Sequence, residues 1–177
     1  MIQSFDENAL LFIQEHLRST PVTELMRWMT RLGDGGIMWI VLGVLLLCFA
    51  STRRRGAVYL SALAGTAVLN NLLIKPLAAR PRPYAVVEGL RVLVEKLSSY
   101  SFPSGHTSAS FAAATALTLL FGRRGAWSFI PAVLIALSRP YLGMHYPTDV
   151  LCGALLGVLC ACMTVKIFRK KTHFLDQ

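Results

Sequence analysis

Residues 138–149 read SRPYLGMHYPTD, between two strongly apolar runs, AWSFIPAVLIAL (126–137) and VLCGALLGVLCACMTV (150–165). An arginine, a histidine and an aspartate stand within a dozen residues at the edge of hydrocarbon-like sequence. Ionisable groups in such a place are costly and mark a working site. The flanking runs have to be helices, because in lipid an open strand leaves its backbone groups unpaired. The stretch therefore reads as helix, polar turn, helix, and it sets the pattern for the rest of the chain.

Working outward, three further runs carry little or no charge: 35–52, 56–74 and 107–122. With 125–144 and 150–165 they make five expected spans, some shorter than the usual ~20 residues. Their ends are expected to be extended by polar residues that face protein. Of the 177 residues, 54% are hydrophobic and 15% charged, and the mean hydropathy is +0.53. Soluble domains carry about a quarter charged residues, so the composition argues for an integral membrane protein. Residues 1–34 differ. Leu10, Leu11, Ile13 and Leu17 form one apolar stripe and Leu25, Met26, Met29 and Leu32 another. Two amphipathic helices are expected there, with Pro21 near the start of the second. The division is an N-terminal amphipathic part, 1–34, and a membrane core, 35–177. The fold class is all-α, a polytopic transmembrane bundle of five spans, or six if the N-terminal part is counted. The first residues lack the basic start and long apolar core of a cleavable signal.

The net charge of +9 arises from 18 Lys and Arg against 9 Asp and Glu. Nucleic-acid binding produces such an excess, but here the cations fall in short blocks, STRRRG (51–56), GRRG (122–125) and KIFRKKTH (166–173). Blocks between apolar runs suit an anionic membrane leaflet, and no nucleic-acid partner is expected. Alternating spans put all three blocks on one side, which the positive-inside rule makes cytoplasmic. The 75–106 loop, the 138–149 turn and the N-terminal part then fall outside. Cys48, Cys152, Cys160 and Cys162 sit in apolar runs and are expected to be small buried hydrophobes, with no disulfide or metal spacing. In the outer loop, Val86, Val87, Leu90, Leu93 and Leu97 have roughly helical spacing. A surface helix is expected there, or a lid that dips into the membrane.

Three clusters carry chemistry. In KPLAARPRP (75–83), Lys75 and Arg82 are two cations suited to a phosphate, one a point charge and one a bidentate fork; alternatively they snorkel to the headgroups. In PSGHTSAS (103–110), Ser104 is placed to cap a helix and Gly105 to let the backbone approach a ligand, with His106 beside them. In the 138–149 stretch, Arg139 precedes His145, and Asp149 follows four residues later. A carboxylate there can accept the ring N–H of His145, which fixes its tautomer and frees the other nitrogen. A helix-capping Asp149 and a packing His145 form the plainer alternative, which leaves Arg139 unexplained. Together the clusters describe phosphoryl transfer on a histidine, with cations and amides around the phosphate and a second histidine giving a proton. No carboxylate-rich two-metal site and no cofactor are expected.

In order and spacing, Lys-six-Arg-Pro, Pro-Ser-Gly-His and Ser-Arg-five-His-three-Asp resemble the type 2 phosphatidic acid phosphatase superfamily. The likeness covers residues 75–149, and the alternating spans extend it over most of the chain. It implies His145 as the nucleophile forming a phosphohistidine, Asp149 as its orienting partner and His106 as the general acid. It implies Lys75, Arg82, Ser104, Gly105 and Arg139 as phosphate ligands. The implied activity is hydrolysis of a membrane lipid phosphate or diphosphate, undecaprenyl diphosphate or phosphatidylglycerophosphate foremost, at the outer face of a bacterial cytoplasmic membrane. A lipid-to-lipid phosphotransferase uses the same residues. A transporter or scaffold that only coordinates an anion would need the cations but not the His145/Asp149 pair.

Overall fold

The structure, a computed structural model, describes residues 2–171; Thr172 and His173, the end of the third basic block, lie outside the described residues. Helix α1 (Ile2–Phe12) runs on through a π-helical turn (Ile13–Leu17). Helix α2 (Thr20–Gly33) has Pro21 in its first turn, where the fixed φ suits a helix start. A 3-10 turn (Asp34–Gly36) leads to α3 (Ile37–Cys48). Helix α4 (Arg53–Val68) continues through π-helical Leu69–Ile74 into the short α5 (Lys75–Ala78). Then come α6 (Pro83–Val86), α7 (Gly105–Phe121), α8 (Arg123–Ala126), α9 (Phe129–Tyr141) and α10 (Pro147–Lys171). No strand occurs among the described residues, in agreement with an all-α fold.

The core forms around α7. Its Ala112, Ala113, Ala114 and Ala116 are fully buried among Trp39, Tyr59, Ile135 and Ala161. Small residues let helices approach closely where lipid removes the hydrophobic drive between them. On α10 the inner stripe is Gly153, Gly157, Ala161 and Val165. A Cβ on Gly157 would lie 2.3 Å from the Ser108 carbonyl oxygen, so this position admits only glycine. Two buried polar side chains of the core are paired: Trp39 Nε1 donates to Ser110 Oγ at 2.9 Å and Tyr59 OH to the Trp39 carbonyl at 3.0 Å. Each such bond contributes roughly 1 kcal/mol.

The outer face is apolar. Leu151, Leu155, Leu159, Met163 and Ile167 recur every fourth residue along α10 and are exposed, as are Ile37, Ile40, Val41, Val44 and Leu45 on α3. Continuous faces of this kind require hydrocarbon around them. All five expected spans are helical. Three lie within helices long and apolar enough to cross a membrane, Thr20–Cys48, Arg53–Val86 and Pro147–Lys170. The other two, α7 and α9, have 17 and 13 residues and fall short by that measure.

Three expectations are corrected. The cysteines are not buried: Cys48, Cys152 and Cys162 are exposed and Cys160 intermediate, because a lipid-facing helix surface needs no protein cover for apolar groups. The stripe on α2 is displaced; Leu25 and Leu32 point outward while Met26, Thr30 and Gly33 are buried, since this helix packs on the polar end of α9. The outer loop forms no helix between Val86 and Gly105. Gly89 takes φ +77, and the chain beyond it runs as an extended strap, with Leu93 N–H bonded to the Leu142 carbonyl at 3.1 Å. Its apolar residues cover the N-terminal helices and the 141–146 turn instead of each other.

Candidate active site

A cavity of about 260 Å³ is lined by Lys75, Arg82, Gly105, His106, Arg139 and His145, together with neighbouring backbone and small residues. Six of the eight site residues expected from the sequence therefore meet at one place. They arrive from α5, the residue before α6, the first turn of α7, the last turn of α9 and the turn before α10. The π-helical segment just before Lys75 is a feature that often marks functional sites, because it re-aims the residues that follow. A Cβ on Gly105 would lie 3.3 Å from Asn70 Nδ2 and 3.9 Å from Lys75 Nζ, so glycine lets the α7 backbone come up to the lysine. The first N–H groups of a helix have no intrahelical acceptor and suit an anion.

Ser104 and Asp149 stand behind the cavity. Ser104 is fully buried at the N-cap position, but its hydroxyl makes no capping bond; it accepts from Thr107 Oγ1 at 3.0 Å. The expected cap is therefore replaced by a side-chain pair. Asp149 is fully buried and heavily engaged. Its Oδ1 accepts from Arg80 Nη1 at 2.6 Å; its Oδ2 accepts from Ser101 Oγ at 2.5 Å and from the Tyr146 N–H at 3.0 Å.

His145 is 1% exposed. Arg82 Nη1 approaches its Nε2 at 2.9 Å. A guanidinium only donates, so Nε2 is the acceptor and the ring proton sits on Nδ1. Nδ1 lies 3.4 Å from Asp149 Oδ2 and 3.5 Å from Ser101 Oγ. Burial, then the positive charges of Arg139, Arg82 and Lys75, push the His145 pKa well below the ordinary histidine value. Both effects favour the neutral ring, whose unprotonated Nε2 is held by Arg82. Arg82 is held in turn by the Ser99 carbonyl (2.8 Å), Ser99 Oγ (2.9 Å) and the Met144 carbonyl (3.0 Å).

Arg139 is 2% exposed. Its Nη1 donates to Thr30 Oγ1 of α2, while Nε and Nη2 are buried with no hydrogen-bond partner. Each buried unpaired donor costs about 1–3 kcal/mol, more on a charged group. Lys75 Nζ likewise makes no hydrogen bond or ion pair among the described residues. Two cations with spare donors in one cavity define an anion site. His106 Nε2 donates to Asp34 Oδ1, 2.9 Å away. A larger chamber of about 750 Å³ continues from the cavity past His106, Arg139 and Leu97 toward Arg27 and Arg31 of α2.

Several residues of the site carry no local sequence signal. Asp6 of α1 is fully buried; it accepts from Arg80 Nη2 at 2.7 Å, from the Thr148 N–H at 3.1 Å and from the Thr148 hydroxyl. Arg80 also stacks on Tyr146, with its guanidinium carbon 3.9 Å from the ring centroid. A chain Asp6–Arg80–Asp149 thus ties the N-terminal helix to the back of His145. Arg80 lies inside KPLAARPRP and was visible only as one cation among three.

The chain belongs to the PAP2 superfamily, whose model matches residues 55–173. Its relatives include named lipid phosphatases. Undecaprenyl-diphosphatase of Sulfolobus acidocaldarius is 36% identical over 132 residues, 73% of this chain and 63% of that protein, so the chain spans just under two thirds of its length. Decaprenylphosphoryl-5-phosphoribose phosphatase of Mycobacterium tuberculosis is 38% identical over 134 residues, 74% of this chain and 72% of that one. Among solved structures, LpxE of Aquifex aeolicus superposes with a TM-score of 0.80 at 27% identity over 92% of this chain and 95% of that one. A transmembrane PAP2-type phosphatidylglycerolphosphate phosphatase from Bacillus subtilis gives 0.81 at 28% identity over 98% and 89%. The family match begins at residue 55, so α1 to α3 lie outside it.

Proposed function

We propose that the chain hydrolyses a lipid phosphate or diphosphate through a phosphohistidine on His145. The observation that carries this reading is the cavity itself, whose lining brings together His145, its unprotonated Nε2 held by Arg82, with Arg139 and its unpartnered donors and with Lys75. An arriving phosphate oxygen takes over the Arg82 donor, which frees the Nε2 lone pair. Nε2 then attacks phosphorus, the bond to the lipid oxygen breaks, and His106 protonates that oxygen. Arg139, Lys75, Arg82 and the Gly105 backbone hold the non-bridging oxygens. Asp149 keeps the His145 proton on Nδ1, with Ser101 between them, and Ser104 supports the start of α7. Water then cleaves the phosphohistidine, with His106 taking the proton.

The relatives' names support undecaprenyl diphosphate and phosphatidylglycerophosphate as leading substrates. In this reading all five apolar helices cross the cytoplasmic membrane of a bacterium. The short α7 is covered by protein and α9 in part, and the site faces outward, opposite the basic blocks. Lipid tails enter sideways between helices. The test is phosphate release by detergent-purified protein from undecaprenyl diphosphate, phosphatidylglycerophosphate, phosphatidic acid and a soluble phosphoester, with His145→Ala as control. Release that is lost in the variant and blocked by vanadate supports the reading, and no release from any substrate refutes it. Transfer of label to an acceptor lipid in place of water would mark a phosphotransferase.

A further inference from the structure

His106 is held by a residue outside both the family match and the three sequence clusters. Asp34 follows the last residue of α2, and its Oδ1 lies 2.9 Å from His106 Nε2. The contact spans 72 positions of sequence. Gly33 presses on the same edge of the ring: a Cβ there would lie 2.8 Å from His106 Cδ2. The Cδ2–Nε2 edge therefore faces the end of α2. The ring's other nitrogen, Nδ1, makes no hydrogen bond to any described residue, and the ring borders both the 260 Å³ cavity and the larger chamber. A carboxylate accepts and never donates when ionised, so the proton between the two groups belongs to Nε2.

We propose that Asp34 is a positioning residue for proton transfer: it holds the His106 proton on Nε2 and makes Nδ1 the atom that exchanges a proton with the substrate. The inference rests on His106 acting as the acid in the proposed reaction. In the first half, the Nδ1–H bond breaks and an O–H bond forms on the departing lipid oxygen, as the His145 Nε2–P bond forms and the P–O bond breaks. His106 is left neutral, with its remaining proton on Nε2 facing Asp34. In the second half, Nδ1 takes a proton from the attacking water as the N–P bond breaks. Asp34 steadies the doubly protonated ring amid the nearby cations Arg139 and Lys75. The arrangement parallels Asp149 and His145, but with the aspartate brought in from a different helix.

The consequence depends on the leaving group. An alkyl oxygen needs a proton to depart, whereas a p-nitrophenolate does not. The experiment measures kcat/KM, which reports the first half alone, of the full chain in detergent for dioctanoyl phosphatidic acid and for p-nitrophenyl phosphate, in the wild type and in Asp34→Asn, Asp34→Glu and His106→Asn. Asp34 is 59% exposed in its side chain, so the substitutions leave packing intact. Asp34→Asn is expected to lower kcat/KM roughly tenfold to a hundredfold on the alkyl ester and less than about twofold on the aryl ester. Asp34→Glu should restore most of the loss. Equal effects on both esters, or none on either, would overturn the role of Asp34. If His106→Asn also slows both esters equally, the acid assignment itself falls, and this proposal with it. If His106→Asn discriminates between the esters and Asp34→Asn does not, only Asp34 is excluded. Absence of release by the wild type would refute the phosphatase reading.

Discussion

The two histidines of the cavity are built in opposite ways. His145 is sealed in: 1% exposed, with Arg82 on one nitrogen and a buried carboxylate and hydroxyl behind the other. His106 sits at the rim, with 15% of its side chain exposed, and leans on one aspartate that is itself open. A nucleophile must be neutral and fixed in direction, which dense burial among cations provides. A proton carrier must exchange with what enters and leaves, which suits a shallow seat with a single partner. The difference in surroundings matches the different tasks proposed for two chemically identical side chains.

The comparison breaks most completely at His145. Its replacement by alanine removes the atom proposed to attack, and phosphate release should fall by roughly a thousandfold or more on every ester, read by inorganic phosphate assay. Arg139→Lys comes next. It keeps the charge but loses the planar fork that carries two unpaired donors. A loss of about a hundredfold in kcat/KM is expected, in line with removing one preorganised donor from a developing charge. Asp6→Asn acts through two intermediates. It should cost about tenfold in kcat and roughly 3 kcal/mol of stability, seen in a thermal melt, because Arg80 keeps Asp149 but loses its buried anchor. The smallest and sharpest test is the pH profile. With the His145 pKa held down by burial and nearby cations, its ring stays neutral as the pH falls. The acid limb of kcat/KM should lie below the ordinary histidine value of about 6.5. A midpoint at or above that value would contradict the sealed environment.

Much of this was legible in the sequence, for reasons tied to distance along the chain. Helices 37–48, 105–121 and 147–171 announce themselves by local hydropathy, and Lys75, Arg82, His106, Arg139 and His145 by spacing within short clusters. Those signals depend on near neighbours. Asp6, Asp34, Arg80 and Ser101 act through partners 44 to 142 residues away, and nothing beside them in the chain marks the pairing. The strap misled for a related reason. Val87, Leu90 and Leu93 have helical spacing, but their contacts are with α1 and the 141–146 turn, and a glycine in the left-handed region ends any helix after Val86. The two stripes on α10, one glycine-rich and one leucine-rich, differ in composition by the medium each faces.

Asp6 leaves the ribosome early and Thr148 late, 142 positions apart. At the usual ~5–20 residues per second, the first helix waits roughly 7 to 30 seconds before its partner exists. During that interval its charge has to rest in water or among lipid headgroups. The clasp closes only once the start of α10 has been made. A nascent chain stalled before residue 148 therefore holds its histidine motifs without the latch behind them.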